Sequence, residues 1–162
     1  MENSPVDVAT KWFTAYSSGD FEGMKRLAAS DYVFEDPAFG RLEGKRAIGM
    51  YKMFISGRDK TEAVWNVHEV KPEPTNPQKA VVRFEAVYKF NGRPVTNQIS
   101  SNILVVDGKV KEQIDSFDFP GWAAQSLGIF GWLFGSFSFL QNSVKQKANA
   151  RLDDFIAKHP EL

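Results

Sequence analysis

Two dipeptides, Asn91-Gly92 and Asp107-Gly108, constrain this chain more than anything else in it. Each accepts the left-handed backbone of a two-residue hairpin turn, and each is flanked by apolar residues that alternate with polar ones. Before the first turn, Val82, Phe84, Ala86, Tyr88 and Phe90 alternate with Arg83, Glu85 and Lys89. Val95 to Val106 returns as the next strand, and Val110 to Phe119 follows the second turn as the last. Glu62 to Val70 reads as an earlier strand, ahead of a loop marked by Pro72, Pro74 and Pro77. The pattern predicts an antiparallel meander with one covered face.

The first third of the chain has a helical period instead. Ser4, Pro5 and Asp7 supply a capping hydroxyl, a first-turn proline and a first-turn acid. Val6, Ala9, Phe13 and Tyr16 then recur at helical spacing, with Trp12 near the same face. Ser17-Ser18-Gly19 ends this helix, and Asp20 can cap a second over Phe21 to Ala28. A third, from Gly44 to Ile55, sets Ile48, Tyr51 and Ile55 on one stripe. Helices followed by a meander give an α+β domain in two layers.

Between the second and third helices, Tyr32-Val33-Phe34 runs straight into Glu35-Asp36-Pro37. An ionised carboxylate is costly to desolvate beside an apolar run, so such an acid needs a partner or a task. Lys plus Arg and Asp plus Glu both number 20, so no net field attracts nucleic acid or an anionic membrane. The chain has no cysteine, hence no thiol chemistry, and its two histidines lack metal-ligand spacing. Its first residues lack the pattern of a signal peptide, so a cytoplasmic protein is expected.

From Phe119 to Val144 no residue is charged, and aromatic and aliphatic side chains crowd the interval. Glycines and serines dilute the run, which argues for a segment packed on the domain or on a dimer partner and against a membrane span. Trp122, Phe130, Trp132 and Phe134 are expected to be buried by that packing. Ser143 to His159 is expected to follow as an amphipathic helix.

Ser18-Gly19-Asp20-Phe21, Phe34-Glu35-Asp36-Pro37, Gly44-Lys45-Arg46-Ala47-Ile48, Asn91-Gly92-Arg93-Pro94 and Asp107-Gly108-Lys109-Val110 together resemble the nuclear transport factor 2-like superfamily, in its SnoaL-like and ketosteroid-isomerase-like branch. The resemblance spans roughly residues 5 to 119, and the tail from Phe119 is similar to a bacterial subgroup with the same extension. It implies a cone: three N-terminal helices in the concavity of a curved, mainly antiparallel sheet, around an apolar pocket. Residues 1–119 would form that pocket domain and 120–162 a C-terminal helical extension.

Within the resemblance, Asp36 matches the proton-transferring base of ketosteroid isomerases; the alternative is that it caps the loop before Pro37. The isomerases' oxyanion tyrosine falls on Trp12 and their protonated aspartic acid on Ser101, which argues against steroid isomerisation. Strand alternation sets Gln113, Asp115 and Phe117 on one face. Asp115 matches an acid of limonene-epoxide hydrolases and of SnoaL-type cyclases; the alternative is a buried acid bonded to Asn97, Gln98 or nearby backbone. The hydrolases' Arg-x-Asp pair falls on Val82 and Phe84, which argues against epoxide hydrolysis.

The expectation is therefore a pocket with Asp36 and Asp115 as proton carriers, facing one cavity with Phe84, Ile99 and Phe117. Trp12, Tyr16, Tyr51, Val82, Phe84, Ile99 and Phe117 would form apolar walls, and Asn97 and Ser101 would orient polar atoms. No cofactor or metal is expected, since the chemistry implied is proton transfer. A non-catalytic module for a small hydrophobic ligand is the alternative, and an interaction or membrane-peripheral role of the aromatic tail is a third reading. A homodimer is expected through the outward sheet face, where Val81, Val87, Leu104 and Ile114 sit among polar residues.

Overall fold

The computed structural model describes residues 3–58 and 63–162. Three helices come early: α1 (Pro5–Ser18), α2 (Phe21–Leu27) and α3 (Lys45–Gly57). Ser4 and Asp7 close a reciprocal capping box at the start of α1, and Gly19 ends it at φ +76°. Six strands form one sheet: β1 (Ala28–Asp36), β2 (Gly40–Glu43), β3 (Val64–Pro72), β4 (Lys79–Phe90), β5 (Arg93–Val106) and β6 (Lys109–Ser116), in the order β2-β1-β6-β5-β4-β3. At both hairpin turns each central residue has a positive φ, as a twist-matched two-residue connection requires.

The first third is not purely helical. β1 and β2 lie within it; β1 pairs parallel with β6, and β2 adds antiparallel at the edge. A parallel partner must come from a distant crossover, so no short-range turn signal announces it. The strand expected from Glu62 begins at Val64; its first residue lies outside the described residues. The last strand stops at Ser116 rather than Phe119, because Asp118 accepts the Gly121 amide and Pro120 stands in the first turn of a new helix.

The main core fills the space between helices and sheet. Val8, Trp12, Phe13, Met24, Leu42, Ala47, Met50, Val82, Ile103 and Val110 are all essentially without solvent contact. The extension comprises α4 (Phe119–Leu127), α5 (Ile129–Phe134) and α6 (Ser138–Ala157), the last starting five residues before the expected Ser143. α4 closes a second, smaller core in which Trp122 and Phe119 pack with Val95 and Leu140. α6 crosses to the other side and lies on α3, where Leu152 is fully buried and Ile156 sits over Gly49. Among the described residues, no helix is long and apolar enough to cross a membrane.

Burial of the aromatic segment is only half realised. Trp122 is buried and Phe134 half-buried, whereas Phe130 and Trp132 are exposed, Trp132 at 72%. Ile129, Leu133, Phe137 and Phe139 are exposed beside them. The rings of Phe130, Phe137 and Phe139 all gather around Phe134, which makes one continuous apolar face.

The turn between α4 and α5 is tight enough that a Cβ on Gly131 would lie 1.9 Å from the Ala123 carbonyl oxygen. Gly131→Ala should therefore force α5 off α4 at a cost of roughly 1–3 kcal/mol. Limited proteolysis should then cut within residues 128–140 while the sheet stays intact.

Candidate functional site

Alternation along two neighbouring strands decides which acids face inward. On β1, Tyr32, Phe34 and Asp36 share the inward side, while Glu35 lies outside with Arg41 at 3.9 Å. On β6, Gln113 and Asp115 are inward and buried. The parallel register pairs Phe34 with Gln113 and Glu35 with Ile114. Asp36 and Asp115 stand at the next step of that register, and the charge of Asp36 acts on Asp115.

Asp115 is bound on one oxygen. Ser101 Oγ donates to its Oδ1 at 2.5 Å and Gln113 Nε2 donates to the same atom at 2.9 Å. Ser101 is the residue directly opposite on β5, and Val82 lies opposite Ser101 on β4. Among the described residues Oδ2 accepts no hydrogen bond. Gln113 is oriented in turn by its other end, where Oε1 accepts from Trp12 Nε1 at 2.9 Å, Tyr51 OH at 2.9 Å and Tyr32 OH at 3.2 Å. The Trp12 indole can only donate, so the opposite amide orientation would set N–H against N–H there and oxygen against the carboxylate; Nε2 therefore faces Asp115.

Burial pushes the Asp115 carboxyl up to about 7; the bonds from Ser101 and Gln113 pull it back, and the charge of Asp36 raises it. Burial also pushes up the hydroxyls of Tyr16, Tyr32 and Tyr51, so all three stay protonated.

Asp36 shows a related asymmetry. Its Oδ1 accepts the amides of Phe39 at 2.6 Å and Ala38 at 2.9 Å, so the loop-capping role is met by one oxygen. Oδ2 accepts nothing among the described residues. The residue as a whole is half-buried, yet its carboxyl is packed deeply enough that burial is the largest influence on its proton. Burial pushes it up to about 6, against the two amides and the charge of Lys145 on α6.

The remaining expected residues divide into two groups. Trp12, Tyr16, Tyr51, Val82 and Phe84 are buried in the main core; Ile99, half-buried, pairs with Phe84 in register. Asn97 is buried opposite Ala86, and its side chain makes no hydrogen bond among the described residues. Phe117 does not join Phe84 and Ile99: it lies past the end of β6 and packs in the smaller core with Trp122. The partners of Asp115 are Ser101 and Gln113, not Asn97 or Gln98, and Gln98 donates instead to Glu85 at 2.6 Å. Trp12 and Ser101 donate to Gln113 and Asp115 respectively. His68 is exposed, and His159 stacks on Phe155.

Tyr32, Gln113, Tyr88 and Trp122 also stand around the two acids, although none was among the expected site residues. Trp122 Nε1 donates to Tyr88 OH at 2.8 Å, and Tyr88 feels the charge of Asp36. Tyr32 had a usable signal, two and four residues before Phe34 and Asp36 on one alternating strand. Two surface depressions lie elsewhere. One, of about 490 Å³, runs between α1 and β3 along Phe13, Ser17, Trp65 and Val67; the other lies by Arg41 and Lys111. Neither touches Asp36 or Asp115.

A family model described as a SnoaL-like domain matches residues 9–113. Among solved structures, a Mycobacterium tuberculosis epoxide hydrolase of the limonene-epoxide-hydrolase-like type is similar at 17% identity, TM-score 0.62, covering 82% of this chain and 96% of its own. A Catenulispora acidiphila protein with a ketosteroid isomerase-like fold, bound to trimethylamine, is 15% identical at TM-score 0.61, covering 76% and 94%. A candidate polyketide cyclase from Pseudomonas putida is 12% identical at TM-score 0.62, covering 76% and 98%. At these identities the likeness is one of fold. No protein of curated function is a recognisable relative in sequence.

The folded state holds the Asp115 proton to about pH 7, whereas an ordinary aspartate releases it near 3.8. Across that window acidification favours the folded state, and the cost of the buried charge is fully present above it. Asp115→Asn keeps the acceptor for Ser101 and Gln113 while removing the charge. It should stabilise the protein by roughly 1–2 kcal/mol at about pH 8, with the gain fading toward about pH 4. Thermal unfolding across pH measures this.

Proposed function

The chain belongs to the SnoaL-like domain family, and we propose that it carries out cofactor-free acid–base catalysis, of isomerase, cyclase or hydrolase type, on a small apolar molecule. The observation that carries this reading is the pair of inward carboxylates, each bound on one oxygen and open on the other, with proton affinities raised into the neutral range. Asp36, the lower of the two, acts as base, and Asp115 holds its proton as the acid. Their mutual repulsion favours the state with one proton between them. Phe84 and Ile99 supply apolar surface, and the uncommitted amide of Asn97 orients a polar atom of the ligand. Since the side chains around the acids are packed, a ligand enters by displacing those at the edge, Tyr88 and Trp122 first.

A specific observation favours a second reading. The groups in place of the oxyanion donors are spent on Gln113 and Asp115, so a ligand oxyanion finds no free donor there. That suits a binding module without turnover. The outward sheet face, where Val81, Val87, Leu104 and Ile114 remain half-buried, suits a second copy of the chain.

Incubation in D₂O with a panel of apolar ketones, enones and epoxides, read by NMR, separates the two functional readings. Catalysis should exchange or add a proton on at least one compound, and Asp36→Asn should slow this by about 10²–10⁴-fold. Binding without exchange, unaltered by Asp36→Asn, would establish the module instead. For the second copy, sedimentation at micromolar concentration should give the dimer mass, and a monomer would exclude it.

A further inference from the structure

The turn that carries Asp36 is held from outside the segment matched by the family. Gln141 Nε2 donates to the Pro37 carbonyl at 3.1 Å, and Asn149 Nδ2 donates to the Phe39 carbonyl at 2.9 Å. Both come from α6, more than a hundred residues later. Asn149 Oδ1 accepts in turn from Arg46 on α3, so the turn, α6 and α3 are tied together. Between these two anchors stands Lys145, with its stem over Gly40: a Cβ there would lie 3.9 Å from Lys145 Cδ and Cε. Gly40 has φ +72°, so both its backbone and the space above it favour glycine.

Gly40, under the Lys145 stem, is the residue paired with Asp36 across β1 and β2. Lys145 forms no ion pair among the described residues, and its charge acts on the Asp36 carboxylate. The other groups facing Asp36 are Tyr88 on β4 and Asp115 on β6, the latter of like charge when ionised. The extension reaches the site from a second side as well. The Trp122 indole takes the Tyr88 oxygen as acceptor, leaving the phenol's own proton free to be donated. Gln125 fastens α4 to the neighbouring strand β5, accepting the Thr96 amide at 2.8 Å on its side chain and the Arg93 guanidinium at 3.0 Å on its carbonyl.

We propose that the C-terminal extension is a functional wall of the site and that Lys145 is the positioning residue for Asp36, with Gln141 and Asn149 fixing the turn while the ammonium sets the carboxylate's charge state. This rests on reading Asp36 as the base. It adds that the base is tuned by a cation from outside the segment that the family model matches. Without that cation the Asp36 carboxyl would hold its proton more tightly, which narrows the difference between base and acid.

Carboxyl carbon NMR titration of the full chain without any ligand tests this, with the Asp36 signal assigned by its loss in Asp36→Asn. In Lys145→Met the Asp36 midpoint should rise by roughly half a pH unit or more, the direction expected when an opposite charge is removed. Lys145→Arg should restore it, and Asp115 should move less. Lys145→Gln, which keeps a polar tip over Gly40, carries the same expectation and serves if the methionine variant does not fold. An unchanged Asp36 midpoint in the folded neutral variant would overturn the proposal, as would an arginine variant shifted as far as the methionine one. Because the titration needs no substrate, a failure here is separable from a failure to find turnover.

Discussion

Gln113 stands on β6 at a position that must face the core, and an amide there is stranded unless both its ends find partners. Its oxygen draws Trp12 from α1, Tyr32 from β1 and Tyr51 from α3; its nitrogen is then directed at Asp115. One side chain on β6 thus ties two helices and the neighbouring strand β1 to the carboxylate. The polar atoms of three large aromatics are satisfied inside an apolar core by the same contact that fixes which oxygen of Asp115 is occupied. Replacing the amide with a hydrocarbon would leave several buried donors without acceptors, each costing about 1–3 kcal/mol. Packing and chemistry share this contact, so neither can be changed alone.

The meander, the three early helices and the place of Asp36 before Pro37 were legible because each is written in a local code: alternation, capping residues or a turn dipeptide. What was not legible depends on partners far away in the chain. β1 hides behind α2 because its pairing with β6 is parallel and leaves no hairpin signal. Asp115 was placed on the correct face by alternation, but its bond to Ser101 follows from the β5–β6 register, which two turn residues alone do not determine. Phe117 was misplaced by one boundary: alternation was extended past Ser116, where the Asp118 cap had already redirected the chain. The tail was the least legible. Its apolar residues have no period that separates Trp122, buried under the hairpin, from Trp132, left in water.

At the positions where the sequence resemblance led to an expectation of oxyanion donors and a charged pair, this chain has an indole, a hydroxyl, a valine and a phenylalanine, and the first two hold the protein's own side chains. Burial is the largest influence raising the proton affinity of both acids.

The clamp of α6 on the Asp36 turn also has a consequence in time. Gln141 and Asn149 meet Pro37 and Phe39 across more than a hundred residues, among the longest loop closures in the molecule. During synthesis the N-terminal elements emerge first, and the sheet can pair through β6 before any of α6 exists. Until then the Asp36 turn lacks its two α6 donors and the charge of Lys145, while Asp115 can already be buried by β5, β6 and α1. The two acids thus reach their final settings at different times, Asp36 only once α6 has docked.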